Sequence, residues 1–419
     1  MKILIKQARI LDRNSEYHGT QQDLLIQDGE ISEIGQIGEI ADAVLIERPG
    51  LCVSLGWTDL KADFCDPGHE YKETIQGGLQ AAAFGGFTHV QTVPTTMPPI
   101  DGKTQVEYLL SRASQEVCQL HPAGAISVRC KGEELAELYD MSQSGVRFFT
   151  DDDHPVSAGL AHRALLYSRN LGARIMLFNS DPSLAHGAQV NEGEASVRTG
   201  LKGDPFISEL IQIDRNLRLL EYSESALHLT GISSAEALPL IEQAKSKGLN
   251  VTADVHVEQL LFNEEAVFEF DHHYKLKPVL RREEDRLALI EGVKKGTIDS
   301  IVSNHRPSDQ EDKLVAFDDV KPGNITLQLM YSAVQTNQIL STEEWLEVVA
   351  GRNRQLLLGE RGEIKKGMVA DLSLFCPDEK WIPDQQNLRS SYPCTPYCGK
   401  EMKGKVVGVI NNRKLALVE

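Results

Sequence analysis

The stretch 55-LGWTDLKADFCDPGHE-70 begins as a short apolar strand and ends in alternating side chains before Asp66-Pro67-Gly68. Residues two apart on a strand face the same way, so Lys61 and Asp63 share a face at the strand's end. Two histidines in those places would present two imidazoles to one metal ion. A lysine and an aspartate do not. The stretch therefore has the shape of a metal-site strand and the wrong side chains for one.

Outward from it the pattern repeats. The runs THVQTVP (88–94), GAISVRC (124–130), GVRFFTDD (145–152), GARIMLFN (172–179), SALHLTGI (225–232), NVTADVHV (250–257) and SIVSNHRP (300–307) are short and apolar. Helical segments such as 71–86, 157–172, 235–249 and 284–296 lie between them. Strand and helix alternation over about 300 residues predicts an α/β fold, a parallel (β/α)8 barrel over residues 53–358. Residues 1–52 instead alternate β-branched runs with turns such as Asp28-Gly29, and 359–419 return to that pattern. Each end is too small to hold a core alone, so the two are expected to pair in one composite β-sandwich.

The chain has 419 residues, 41% of them apolar, enough for a sizeable core. Its 61 acidic against 43 basic residues give a net charge of −18, which argues against nucleic acid or an anionic membrane as partner. No window approaches a membrane span and the N-terminus lacks a signal-peptide pattern, so a cytoplasmic location is expected. The seven cysteines are odd in number and scattered, unlike a secreted disulfide framework. Cys394 and Cys398 have no second pair or histidine after them and read as loop residues.

Several stretches together resemble the dihydroorotases of the long bacterial type, within the metal-dependent amidohydrolase superfamily. They are residues 56–78, TVPTTMPPID (92–101), FFTDDDHPV (148–156), NEGEASVRTGLKG (191–203), 276–307, 362–381 and TPYCGKEMKGKVV (395–407). The resemblance covers essentially the whole chain. It implies a barrel whose C-terminal mouth holds one or two zinc ions, because a bound metal must lower the pKa of water to make hydroxide.

The positions that the resemblance assigns to that chemistry carry other residues here. The metal-binding histidines fall on Lys61, Asp63, Asn179 and Gly231, and the aspartate that is both ligand and general base falls on Asn304. Only Asp152 remains of the expected ligand set. The substrate-gripping arginine falls on Cys65, which cannot offer a guanidinium fork, and two substrate-binding asparagines fall on Thr95 and Lys277. Asp63, Asp151, Asp152 and Lys61 are all expected near the mouth. They either form an oxygen-rich site for Mg²⁺ or Mn²⁺ or neutralise one another, Lys61 against Asp63 or Asp152.

Three readings follow. The first is a non-catalytic homologue with no resident cofactor, for which the resemblance implies aspartate transcarbamoylase as partner and a homo-oligomeric assembly. The second is a working cyclic amidohydrolase with unorthodox ligands, which would need zinc to open dihydroorotate to N-carbamoyl-aspartate. The third is a small-molecule binding module that uses Lys61, Lys277 and Arg306 as a local basic cluster.

Overall fold

A computed structural model of the chain describes residues 1–418. Eight parallel strands alternate with helices: β1 (Trp57–Ala62), β2 (Phe87–Thr92), β3 (Gln119–Pro122), β4 (Phe148–Phe149), β5 (Arg174–Phe178), β6 (Leu227–Thr230), β7 (Val251–His256) and β8 (Ser300–Val302). Ladders join β1 to β3 and β4 to β8 in order. Single parallel bridges close the ring, Gly124 to Phe149 between β3 and β4 and Ala62 to His305 between β1 and β8. The molecule is a (β/α)8 barrel, as the alternation predicts.

The third strand differs from the expectation. Residues 124–130 do not form it; β3 is Gln119–Pro122, and Val128–Cys130 is a turn with left-handed backbone at Arg129 (φ 56°) and Cys130 (φ 53°). Pro122 and Gly124 read as breakers, yet proline at a strand's last position leaves the earlier ladder intact.

The two chain ends build one sheet of eight strands. Its order runs Lys414–Leu417, Met402–Asn411, Leu372–Trp381, Cys52–Leu55, Lys2–Ile10, Gln21–Gln27 and Glu30–Gly35, with Ala43–Glu47 paired to Lys2–Ile10. Cys52–Leu55 thus belongs to this sheet, and the barrel starts beyond Gly56.

Trp57, fully buried at the start of β1, joins the two parts. Its ring packs edge-on against Phe87 of β2 at 5.9 Å and against Trp345 at 5.6 Å, and it meets Phe375 of the terminal sheet at 5.2 Å. Its indole N–H donates to Ser54 Oγ at 3.0 Å. Asp371 adds a polar link, accepting from Arg354 Nη1 at 2.5 Å and from His89 of β2 at 2.9 Å. Trp57→Ala should cost about 3–5 kcal/mol, read as a shifted denaturation midpoint; a loss below about 1 kcal/mol would mean that the joint is not held there.

The helix Ile75–Phe84 positions the first strand's end. Thr74 caps it by accepting from Gly77 N, and its Gly78 lies so near Phe64 that a Cβ would sit 2.2 Å from the ring. Glycine there lets the helix pack directly against the Phe64 ring.

Candidate functional site

β1, β4, β7 and β8 all end at one mouth, and their terminal side chains meet around Asp152. Lys61 is 2% exposed. Its Nζ lies 3.4 Å from Asp152 Oδ1, from Thr230 Oγ1 and from His256 Nε2. Arg306 follows β8 and places Nη2 at 2.6 and 2.7 Å from the two Asp152 oxygens. Thr95 Oγ1 donates to Asp152 Oδ2 at 3.0 Å, and Asn304 Oδ1 accepts from Arg306 Nε at 3.2 Å.

One carboxylate therefore faces two cations and a hydroxyl. Burial works against its ionisation, but the charges of Arg306 and Lys61 and the hydrogen bonds outweigh that, and hold the Asp152 carboxyl below its usual range. Burial and then the charge of Lys61 push the His256 imidazole down to about 3. Neutral at pH 7, it can accept a hydrogen bond from the lysine ammonium.

The other assigned positions divide. Asp63 stands at the edge, its Oδ1 accepting from Cys65 N at 2.8 Å and its Oδ2 3.9 Å from Arg306 Nη1. Cys65 is buried with a left-handed backbone (φ 59°), and burial raises its thiol well above the usual range. Asn179 turns away to the barrel wall, accepting from Asn216 Nδ2 and donating to Leu177 O. Gly231, at φ 72°, gives its N–H to Asp254, and a Cβ there would come within 3.1 Å of Phe178 and 3.2 Å of His256. Asp254 in turn pairs with the buried His228 at 2.9 Å. Lys277 sits at the rim on Asp153, Nζ to Oδ2 3.1 Å.

Two expectations need correction. Asp151 is not part of the mouth: it folds back to accept from the backbone N–H groups of Ile126 and Ser127 and from the Ser127 hydroxyl. Nor are Lys61, Lys277 and Arg306 a free basic cluster, since Lys61 and Arg306 share Asp152, Arg306 also lies 3.9 Å from Asp63, and Lys277 rests on Asp153. Sequence reasoning missed His256 and Thr230. Alternation along NVTADVHV puts Asp254 and His256 on one inward face, which could have flagged the imidazole.

The residues present do not fit a zinc centre. Among the described residues no group of three or more His, Cys, Asp or Glu side chains could hold a metal ion. At the mouth, both Asp152 oxygens are engaged by cations, and an ammonium stands beside the His256 imidazole. Among the described residues no helix is long and apolar enough to cross a membrane.

The dihydro-orotase-like family matches residues 51–237. The chain is 35% identical over 414 residues to the dihydroorotase of Syntrophus aciditrophicus, with 97% of each chain covered. It is also 35% identical over 421 residues to the dihydroorotase of Aquifex aeolicus, with 99% of each covered. Among solved structures it is similar to the L-hydantoinase (dihydropyrimidinase) of Arthrobacter aurescens, at a TM-score of 0.85 and 21% identity over 99% of this chain and 96% of that one. At that identity the likeness shows the fold, a barrel with a sheet beside it.

Proposed function

Because the chain belongs to the dihydroorotase family, we propose that it is a non-catalytic member that serves pyrimidine biosynthesis as a structural or regulatory subunit. The observation that carries this reading is the Asp152 carboxylate, held by the Arg306 guanidinium and the Lys61 ammonium. A divalent cation arriving there would meet two positive charges and no lone pair free of a donor. The general-base position holds Asn304, whose amide oxygen accepts from Arg306 and which has no proton-accepting carboxylate. Cys65, with its thiol kept protonated by burial, offers no cationic fork to a substrate carboxylate.

Loss at the metal, base and substrate positions together, on a scaffold that still packs, supports a role in assembly. The partner in this reading is aspartate transcarbamoylase, and co-sedimentation of the two purified proteins tests it.

The reading is tested by elemental analysis of the dialysed protein, which should give well under one zinc per chain. A catalytic zinc site uses about three protein ligands and a water. The metal-supplemented protein should not open dihydroorotate above the uncatalysed background. Turnover near one per second, within the ordinary range of enzymes, would overturn the proposal and make the mouth an unorthodox active site.

A further inference from the structure

A cavity opens beside the Asp152 cluster, between the segment 180–189 that follows β5 and the segment 275–279 that follows β7. It encloses about 270 Å³, and Pro155, Phe178, Pro182, Pro278 and Val279 give it apolar walls. Neither Asp152 nor Arg306 lines it. Pockets for drug-sized molecules begin at about 300 Å³, so this one suits a smaller ligand.

Two acceptors in its lining lack a donor. Asp204 is set there by a short parallel pairing in which it stands opposite Asn191, and Gly203 permits the close approach, since a Cβ on it would sit 2.7 Å from Glu192 Cα. The residue is 9% exposed, and its Oδ1 has no hydrogen-bond partner among the described residues; the same is true of Gln189 Oε1. Arg281 Nη2 stands 3.5 Å from Asp204 Oδ1, but that guanidinium is turned to other acceptors. Its Nε donates to Ser233 Oγ at 3.2 Å, and its Nη1 to Asn191 Oδ1 at 2.9 Å and to Asp204 O at 2.5 Å. Burial raises the Asp204 carboxyl in spite of this neighbour. Buried acceptors without donors are costly, so a ligand that supplies donors is favoured here.

Charge narrows the class of ligand. Of the two lysines in the lining, Lys277 rests on Asp153 with Nζ 3.1 Å from Oδ2, and Lys275 Nζ donates to Phe317 O at 2.6 Å and Asp318 O at 2.8 Å. An anion would therefore meet the Asp153 and Asp204 carboxylates with both lysines already engaged. A neutral hydroxyl brings one donor and no charge. A primary ammonium brings three donors and a counter-charge, and a chain of net charge −18 draws cations toward it.

We propose that this cavity binds a small aliphatic primary amine, whose ammonium donates to Asp204 and Gln189 and whose hydrocarbon chain lies against the proline-rich wall. The inference is independent of whether the barrel mouth is catalytic.

The test is isothermal titration calorimetry of the full chain at pH 7 with n-butylamine, and with 1-butanol and butyrate as matched neutral and anionic probes. The amine should bind saturably with a dissociation constant of about 1 mM or tighter, a value open to a ligand this small. The alcohol and the carboxylate should bind at least about tenfold more weakly, the ammonium being held by charge-assisted hydrogen bonds. Asp204→Asn keeps the shape of the side chain and removes its charge, and should weaken the amine about ten- to a hundredfold. Ala188→Phe fills the cavity from its lining while leaving Asp204 in place, and should abolish binding. Circular dichroism and the denaturation midpoint show that each variant is folded. No saturable binding of the amine, equal binding of 1-butanol, or a folded Asp204→Asn variant that binds the amine as tightly as the unmodified protein each overturns the proposal.

Discussion

Arg306→Ala is expected to lower folding stability by about 3 kcal/mol, the lower end of what removing one member of a buried ion pair costs. The Asp152 side chain is 1% exposed, so it cannot regain water when the guanidinium leaves. Lys61 at 3.4 Å and the Thr95 hydroxyl remain, which is why the loss should not reach the upper end of about 5 kcal/mol. Asp152→Asn in the Arg306→Ala background should restore part of the loss, because the amide needs no counter-charge. Chemical denaturation of the four proteins reads this as a coupling energy. If Arg306→Ala costs the same whether residue 152 is acid or amide, the pair is not what stabilises the mouth.

The pH dependence has a definite sign. In the unmodified protein Asp152 is held below its unfolded value, so its contribution is fully present above about pH 4 and is lost only as pH falls further. Without Arg306 the balance turns toward burial, which favours the protonated acid. The penalty of Arg306→Ala should therefore shrink as pH is lowered from about 7 to about 5.

Buried parallel strands are continuous apolar runs, and that is why most of the barrel was legible without coordinates. The third strand was not, because QLHP carries one buried leucine and one proline and gives no such run. The composite sheet was legible from turn chemistry at both ends. At the site, Lys61 and Asp152 could be placed at the mouth from their positions at strand ends. That Asp151 folds back onto Ile126 and Ser127 could not be read, since the chain leaves the extended strand there and Asp152 adopts a left-handed backbone (φ 57°). The Arg306–Asp152 contact joins residues 154 apart in sequence, and only the closed barrel brings them together.

Restoring Asn304 to aspartate alone is expected to return no dihydroorotate turnover. General base catalysis is worth about 10²–10⁴-fold in a complete site, but a catalytic unit missing several members does not respond additively. Here the new carboxylate would meet Arg306, whose Nε already donates to Asn304 at 3.2 Å, and would become a second counter-ion for it. Adding Lys61→His, Asp63→His, Asn179→His and Gly231→His restores the imidazoles in name but leaves Arg306 on Asp152. Asn179 also points into the wall toward Asn216, and residue 231 has a left-handed backbone with Phe178 and His256 close to any side chain. The fivefold variant should thus take up less than one zinc per chain. A sixth change, Arg306→Ala, frees both Asp152 oxygens and is expected to raise zinc uptake measurably by elemental analysis. Even then Cys65 supplies no guanidinium for a substrate carboxylate, so turnover should stay at background. Dihydroorotate hydrolysis by the Asn304→Asp single variant would show that the base alone was missing. Full zinc occupancy of the fivefold variant would show that Arg306 does not bar the metal.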